Sequence, residues 1–200
     1  VKDFMDNYVT PVIKPNTIKV SYLEGPKVEI LGDNHEEYTV EFINGDTNEG
    51  VFSDKITNGM WTVCSKKYFI PWIIKVNGEV VDKFNLKGKK VLIGLDSNSI
   101  GDTIAWAPYA IEFAKKYNCQ VLLSTHHNSW FEGVKAYKDI KFITPGDFEP
   151  CHAMYRIGWY KENEKWEAFD KNPNQVNLIP LQQTATDILG LKFKELNHGV

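Results

Sequence analysis

Apolar residues in the first part of the chain recur in short alternating runs. "IKVSYL" (18–23), "KVEIL" (27–31), "YTVEFIN" (38–44), "GVFSDKI" (50–56), "MWTVC" (60–64) and "WIIKVNGEVVDKF" (72–84) are rich in Val, Ile, Tyr, Phe and Trp. Clusters such as "EGP", "GDN", "NGD" and "TNG" separate them, the pattern of half-buried strands joined by tight turns. Asn77-Gly78 stands between alternating apolar residues. A type I′ hairpin turn needs positive φ at both central residues, which Asn and Gly tolerate. The pattern predicts six or seven antiparallel strands in a small sandwich or open barrel.

The period changes after "NLKGKK" (85–90). "KVLIGL" (90–95) is continuously apolar, as a strand buried on both faces of a parallel sheet must be. In "DTIAWAPYAIEFAKKY" (102–117), Ile104, Ala107, Ile111 and Ala114 recur at helical spacing. Lys115 and Lys116 suit the last turn, and Pro108 reads as early in the helix, where a missing N–H matters least. "CQVLLST" (119–125) reads as a second strand, "NSWFEGVKAY" (128–137) as a short helix and "IKFIT" (140–144) as a third strand. This alternation predicts βαβ units and a Rossmann-like parallel sheet. "MYRIGWY" (154–160) reads as strand or loop. "LIPLQQTATDILGL" (178–191) reads as a helix with Pro180 in its first turn. Leu181, Thr184, Ala185, Ile188 and Leu189 fall on one face, and Gly190 is the stop. The chain thus divides into a β-rich module over 1–87 and a Rossmann-like part over 88–200.

Composition adds limits. With 200 residues, 42% hydrophobic, 24% charged and a net charge of -3, the chain is of soluble globular type and carries no basic footprint for nucleic acid. Aromatic residues make up 13%, six of them Trp, which serves either a core or a site that stacks on sugars or bases. Cys64, Cys119 and Cys151 form no C-x-x-C pair. So sparse and odd a set suits reduced thiols in the cytoplasm, and Cys119, in an apolar run, reads as core. The first residues lack a basic region followed by an apolar block. No window approaches the ~20 apolar residues of a membrane span. The chain is therefore expected to be cytoplasmic.

The chemistry gathers at "LDSNSIGDT" (95–103), where the first parallel strand hands over to its helix. Ligands of open α/β sheets bind beyond the carboxyl ends of strands. Asp102 reads either as a helix cap, worth ~1 kcal/mol, or as a general base that a helix N-terminus favours in its ionised form. Gly101 permits a tight or left-handed backbone and close approach of a ligand. Asp96 either hydrogen-bonds the loop backbone or contacts an acceptor. Ser97, Asn98, Ser99 and Thr103 are polar groups placed for the same contact. Neither a G-x-G-x-x-G nor a Walker pattern is present.

In "STHHN" (124–128), adjacent strand residues point to opposite faces, which argues against a two-His metal site; His126 is assigned to the cleft. No acidic ligand lies at metal-binding spacing, and no metal is expected. His35 reads as part of a solvated turn. Arg156 reads as an ion-pair partner or a phosphate clamp. Trp159 and Tyr160 read as core or as a surface that stacks on a sugar. Asp187, Gln182 and Gln183 read as helix-surface groups or contacts to a partner domain.

Four blocks, "GLDSNSIGDTIAWAPYAIEF", "CQVLLSTHHN", "AMYRIGWY" and "IPLQQTATDILGL", resemble in their order the bacterial heptosyltransferases of the GT-B fold, above all the autotransporter O-heptosyltransferases. The resemblance covers Lys90 to Leu191; the β-rich segment fits more loosely, as the amino-terminal module of such enzymes. It implies the α/β Rossmann-like half of a GT-B glycosyltransferase preceded by a small antiparallel β domain. It maps the family's proposed base, the Asp after Gly, onto Asp102. It implies transfer of a heptose or similar sugar from an ADP-linked or other nucleotide-sugar donor to a hydroxyl, in this group a Ser or Thr of an autotransporter polypeptide. The donor is a co-substrate, and no further cofactor or catalytic metal is implied. Cationic groups and helix N-termini would stabilise the leaving diphosphate. A homo-oligomer is compatible with it.

A GT-B enzyme holds the nucleotide mainly in a second Rossmann-like domain. The donor-binding segments, and the Cys-rich segments some relatives carry, are missing from this chain. The expectation is an acceptor-side half that does not transfer sugar alone. The alternative from another class is a non-catalytic glycan- or polypeptide-binding module, and a third reading is another nucleotide-using enzyme on the same topology.

Overall fold

The computed structural model describes residues 16–196. β1 (Thr17–Ser21), β2 (Lys27–Leu31) and β5 (Trp61–Val63) form one antiparallel sheet in the order β1-β2-β5. β3 (Tyr38–Asn44), β4 (Gly50–Ile56), β6 (Trp72–Val76) and β7 (Glu79–Lys83) form a second, in the order β4-β3-β6-β7. Alternation builds them: Val28 and Ile30 of β2, and Trp72, Ile74 and Val76 of β6, are buried between half-buried neighbours. The β6–β7 connection has Asn77 at φ 51 and Gly78 at φ 82, the expected type I′ geometry.

β8 (Lys90–Leu95), β9 (Gln120–Ser124), β10 (Lys141–Ile143) and β11 (Ala153–Ile157) form a parallel sheet in the order β10-β9-β8-β11. The segment 154–160 is therefore both things at once, a strand that runs into a loop. The chain steps outward from β8 to β10, then returns to the other side of β8. The switch point lies between the carboxyl ends of β8 and β11, where Gly94 pairs with Arg156 and Leu95 with Ile157.

α1 (Ile100–Tyr117) connects β8 to β9 and buries Ala105, Trp106, Ala107, Tyr109, Ala110 and Phe113. It starts earlier than the sequence run suggested, so Pro108 sits in its interior and not in its first turn. A helix held by so broad a buried face tolerates the loss of one backbone bond. It ends at Asn118, left-handed at φ 49, whose N–H donates to the Ala114 carbonyl. The expected helix over 128–137 is instead two 3-10 turns, Asn128–Phe131 and Lys135–Tyr137. Gly133 between them, at φ 77, breaks any continuous helix.

α2 (Leu181–Ile188) has Pro180 as its N-cap, one place before the first turn. Gly190 stops it as expected. At φ 62, a Cβ there would run into the Phe69 ring.

One hydrophobic core runs through both parts, joining Ile30, Phe42 and Trp72 to Ile93, Phe113, Tyr155 and Ile188. The opposite face of the parallel sheet buries a small cluster of Leu92, Leu122 and Ile143. Cover on both faces is why β8 is apolar throughout. Tyr22, just past β1, pairs with Ala153 as a parallel bridge, and its ring packs on Phe84 and His152. Among the described residues no helix is long and apolar enough to cross a membrane.

Candidate functional site

The chain leaves β8 at Asp96, whose N–H donates to the Ile157 carbonyl at 2.9 Å. Its carboxylate accepts from Arg156 Nε at 2.9 Å and from the Tyr160 hydroxyl at 2.5 Å. Asp96 thus clasps the exits of β8 and β11. Gly158 makes the clasp possible: a Cβ there would lie 3.1 Å from Asp96 Cβ and 3.3 Å from the Tyr160 hydroxyl. Burial, then the Asp96 carboxylate, push the Tyr160 hydroxyl well above the ordinary phenol range and keep it a donor.

Ser99 is the N-cap of α1. Its Oγ accepts from the Asp102 N–H at 3.5 Å, and its carbonyl accepts from Thr103 Oγ1 at 3.0 Å. The capping role considered for Asp102 therefore falls to Ser99. The Asp102 carboxylate has no hydrogen-bond or ion-pair partner among the described residues, and it lines an open cleft at the switch point.

The cleft is lined from the β8 exit and α1 by Asp96, Ser97, Asn98, Asp102 and Trp106. From the β11 exit it is lined by Arg156, Gly158, Trp159, Tyr160 and, farther on, Trp166. His126 enters from the end of β9.

Seven of the ten residues proposed from sequence meet here. Ser99, Gly101 and Thr103 do not. Ser99 and Thr103 shape the helix start, with Thr103 wholly buried. Gly101 is neither left-handed nor closely approached, since the nearest atom to a Cβ there would be Ser99 Oγ at 3.8 Å. The histidines also differ from expectation. They lie in a turn past β9, held by Thr125 and Asn128, so strand alternation does not govern them. His126 is exposed in the cleft. His127 Nε2 lies 2.9 Å from the Asn98 carbonyl while its ring stacks on Trp130 at 4.3 Å, bracing the β8 loop.

Gln182 and Asp187 lie away from the cleft. Gln182 bonds Tyr109 and the Leu196 carbonyl, and Asp187 accepts from Asn174 at 2.7 Å. Sequence reasoning missed Trp106, His127, Gly158 and Trp166. Only Gly158, a glycine straight after an apolar run, left a signal. Among the described residues no group of three or more His, Cys, Asp or Glu could hold a metal ion.

The fold and cleft define a β module joined to a Rossmann-like sheet with an unpaired carboxylate at its switch point. No family model matches the chain. It is 28% identical over 184 residues to the inactive autotransporter heptosyltransferase BimC of Burkholderia thailandensis, covering 89% of this chain and 42% of BimC. It is 29% identical over 167 residues to the autotransporter heptosyltransferase Aah of Escherichia coli, covering 80% and 41%. It is 25% identical over 189 residues to TibC of E. coli, covering 90% and 45%. The chain spans less than half the length of these relatives. The crystal structure of TibC, described as an iron-containing dodecameric glycosyltransferase, superposes with a TM-score of 0.78 at 24% identity over 91% of this chain and 48% of TibC. A second TibC structure holds ADP-heptose. The resemblance to autotransporter heptosyltransferases thus holds, and it extends through the β-rich segment that the sequence blocks left out.

Proposed function

We propose that this chain is the acceptor-side half of a GT-B glycosyltransferase, with the β-rich module up to residue 87 preceding a Rossmann-like domain. The reaction moves a heptose or similar sugar from a nucleotide-sugar donor, of which ADP-heptose is the type bound by TibC, to the hydroxyl of an autotransporter Ser or Thr. The single observation that carries the reading is the Asp102 carboxylate, unpartnered among the described residues at the switch-point cleft while its neighbour Asp96 is fully engaged. The acceptor oxygen attacks the anomeric carbon and its proton passes to Asp102. The bond to the diphosphate breaks, and the electron pair leaves with the nucleotide. The electropositive groups on this side of the cleft are the N-terminus of α1 and Arg156, whose Nε is held by Asp96, so the donor-binding domain supplies most of the counter-charge to the diphosphate.

TibC is described as iron-containing. The described residues offer no cluster that fits iron, since Cys64 after β5, Cys119 before β9 and Cys151 before β11 are free thiols at separate places in the fold. No step of the reaction is routed through a metal. Free thiols suit a reducing compartment, and the proposal places the protein in the cytoplasm, with homo-oligomers as in dodecameric TibC.

The test is transfer from ADP-heptose to an autotransporter polypeptide by the protein carrying a donor-binding domain. Asp102→Asn should lower the rate by about 10²–10⁴-fold; an unchanged rate would leave Asp102 a surface carboxylate. The 200-residue chain should show no turnover by itself. A second reading, a non-catalytic binding module, draws support from BimC, a relative named inactive. Under it, acceptor binding persists in the longer protein without any transfer.

A further inference from the structure

Beyond β11 the chain forms a minimal hairpin. Glu162 and Lys165 exchange both backbone hydrogen bonds, each 2.9 Å, around Asn163 at φ 48 and Glu164 at φ 65. Two left-handed central residues make this a type I′ turn, and a glutamate is an uncommon occupant of such a position. The hairpin has a tryptophan on either side. Trp159 precedes it, Trp166 follows it, and their rings meet edge to face at 6.0 Å and 79°. Lys161 Nζ lies 4.3 Å from the Trp166 ring centroid and covers one of its faces. Trp159 remains 48% exposed. An indole held this open, braced by a second indole and lining a cleft, is apolar area left for something to cover.

What covers it follows from the rest of the lining. Ser97, Asn98, Asp102 and His126 bring hydroxyl, amide, carboxylate and imidazole groups to the same cleft as the indoles. Indole faces and hydrogen-bonding groups sharing one cleft match a pyranose ring, with its C–H face on one side and its hydroxyls around the rim. A nucleotide diphosphate fits less well. Two carboxylates stand in the cleft, and the Nε of Arg156 is already committed to Asp96. A polypeptide fits less well too, because the hairpin spends its paired backbone groups on itself.

We propose that Trp159 and Trp166 form a stacking wall for the ring of the transferred sugar, and so determine which sugar is accepted. The inference rests on the transferase reading and deepens it. Trp159 supplies the ring face, Trp166 fixes its tilt, and the hairpin sets the distance to Asp102.

The test is a titration of the 200-residue chain, labelled at its indole N–H groups, with a methyl heptopyranoside, followed by two-dimensional NMR. The resonances of Trp159 and Trp166 should shift and saturate, with Trp61 on β5 as a distant control. ADP should leave them in place. Trp159→Ala should abolish the shift at Trp166, Trp159→Phe should retain a weaker one, and Trp166→Phe guards against collapse of the hairpin in a smaller variant. Transfer by the longer protein carrying Asp102→Asn reads the base, and the indole shifts of the unsubstituted 200-residue chain read the wall, so the two readings fail separately. Unmoved indoles overturn the proposal. An equal response to ADP, or a response only to a Ser/Thr peptide, also overturns it and assigns the wall to a base or to the acceptor chain.

Discussion

The Tyr160 hydroxyl donates to the Asp96 carboxylate at 2.5 Å, across the exits of two strands that are neighbours in space but 58 or more residues apart at their nearest ends (95 to 153). Tyr160→Phe removes that donor and leaves Arg156 as the remaining side-chain partner. A hydrogen bond to a charged group contributes about 1.5–3 kcal/mol. The Asp96 side chain is 22% exposed, so water replaces part of the loss and the lower end of that range is expected. Urea unfolding of the wild type and the variant measures it, and identical midpoints would show that the clasp adds nothing.

Gly158→Ala should disturb the same clasp from the other side. The added methyl would press on Asp96 Cβ and the Tyr160 hydroxyl at 3.1 and 3.3 Å. Overpacking of this kind costs about 1–3 kcal/mol, and the displaced carboxylate should also weaken sugar-induced shifts in the cleft. A stable variant with an unaltered cleft would mean that the loop yields freely.

Ser99 and Asp102 should separate cleanly. Ser99→Ala removes the cap of α1 and should cost about 0.5–1 kcal/mol, the low part of the usual range because the bond to Asp102 N–H is long at 3.5 Å. Asp102→Asn should change stability by less than about 1 kcal/mol, the worth of a carboxylate near a helix N-terminus, yet remove transfer. Thermal melts alongside a transfer assay read both effects. A Ser99 variant that loses transfer without losing stability would reverse the two roles.

Burial pushes the Cys119 thiol up to about 11. The folded thiol holds its proton more tightly than the unfolded one, so its contribution to stability is complete below the ordinary thiol range. It is lost as pH rises from about 9 toward 11. Burial likewise pushes the Tyr137 hydroxyl up to about 12, which extends the decline. Unfolding free energy should therefore fall through this alkaline window, and Cys119 should react slowly with alkylating reagents at neutral pH. Rapid labelling of native protein at pH 7 would contradict it.

Local periodicity made most elements legible. Alternation announced every strand of the β module, and Asn77-Gly78 announced its hairpin. Continuous apolarity marked β8, and Gly190 marked the end of α2. What failed depended on contacts the local pattern does not carry. Gly133 turned an apparent helix into two 3-10 turns. Ser99, not Asp102, capped α1, because caps are chosen by where the backbone bends and not by residue type alone. The pairing of β11 with β8 is a long-range choice. With it came the Asp96–Tyr160 clasp, the need for Gly158 and the arrival of Trp166 at the cleft. The loop that carries Asp102 was visible from the outset, as was Trp159, whereas Trp166 came from the segment after Tyr160, where no periodic pattern points to a site.

The bridge between Tyr22 and Ala153 has a consequence for solubility. β11 is an edge strand of the parallel sheet, and an open edge is a template for another chain. Tyr22 takes up that edge at its start, its carbonyl accepting from the Met154 N–H at 3.3 Å. The β-rich module thus shields the sheet from strand addition as well as extending its core. A Rossmann-like part cut free at Asn85 would carry a bare edge into solution, and self-association would compete with its folding.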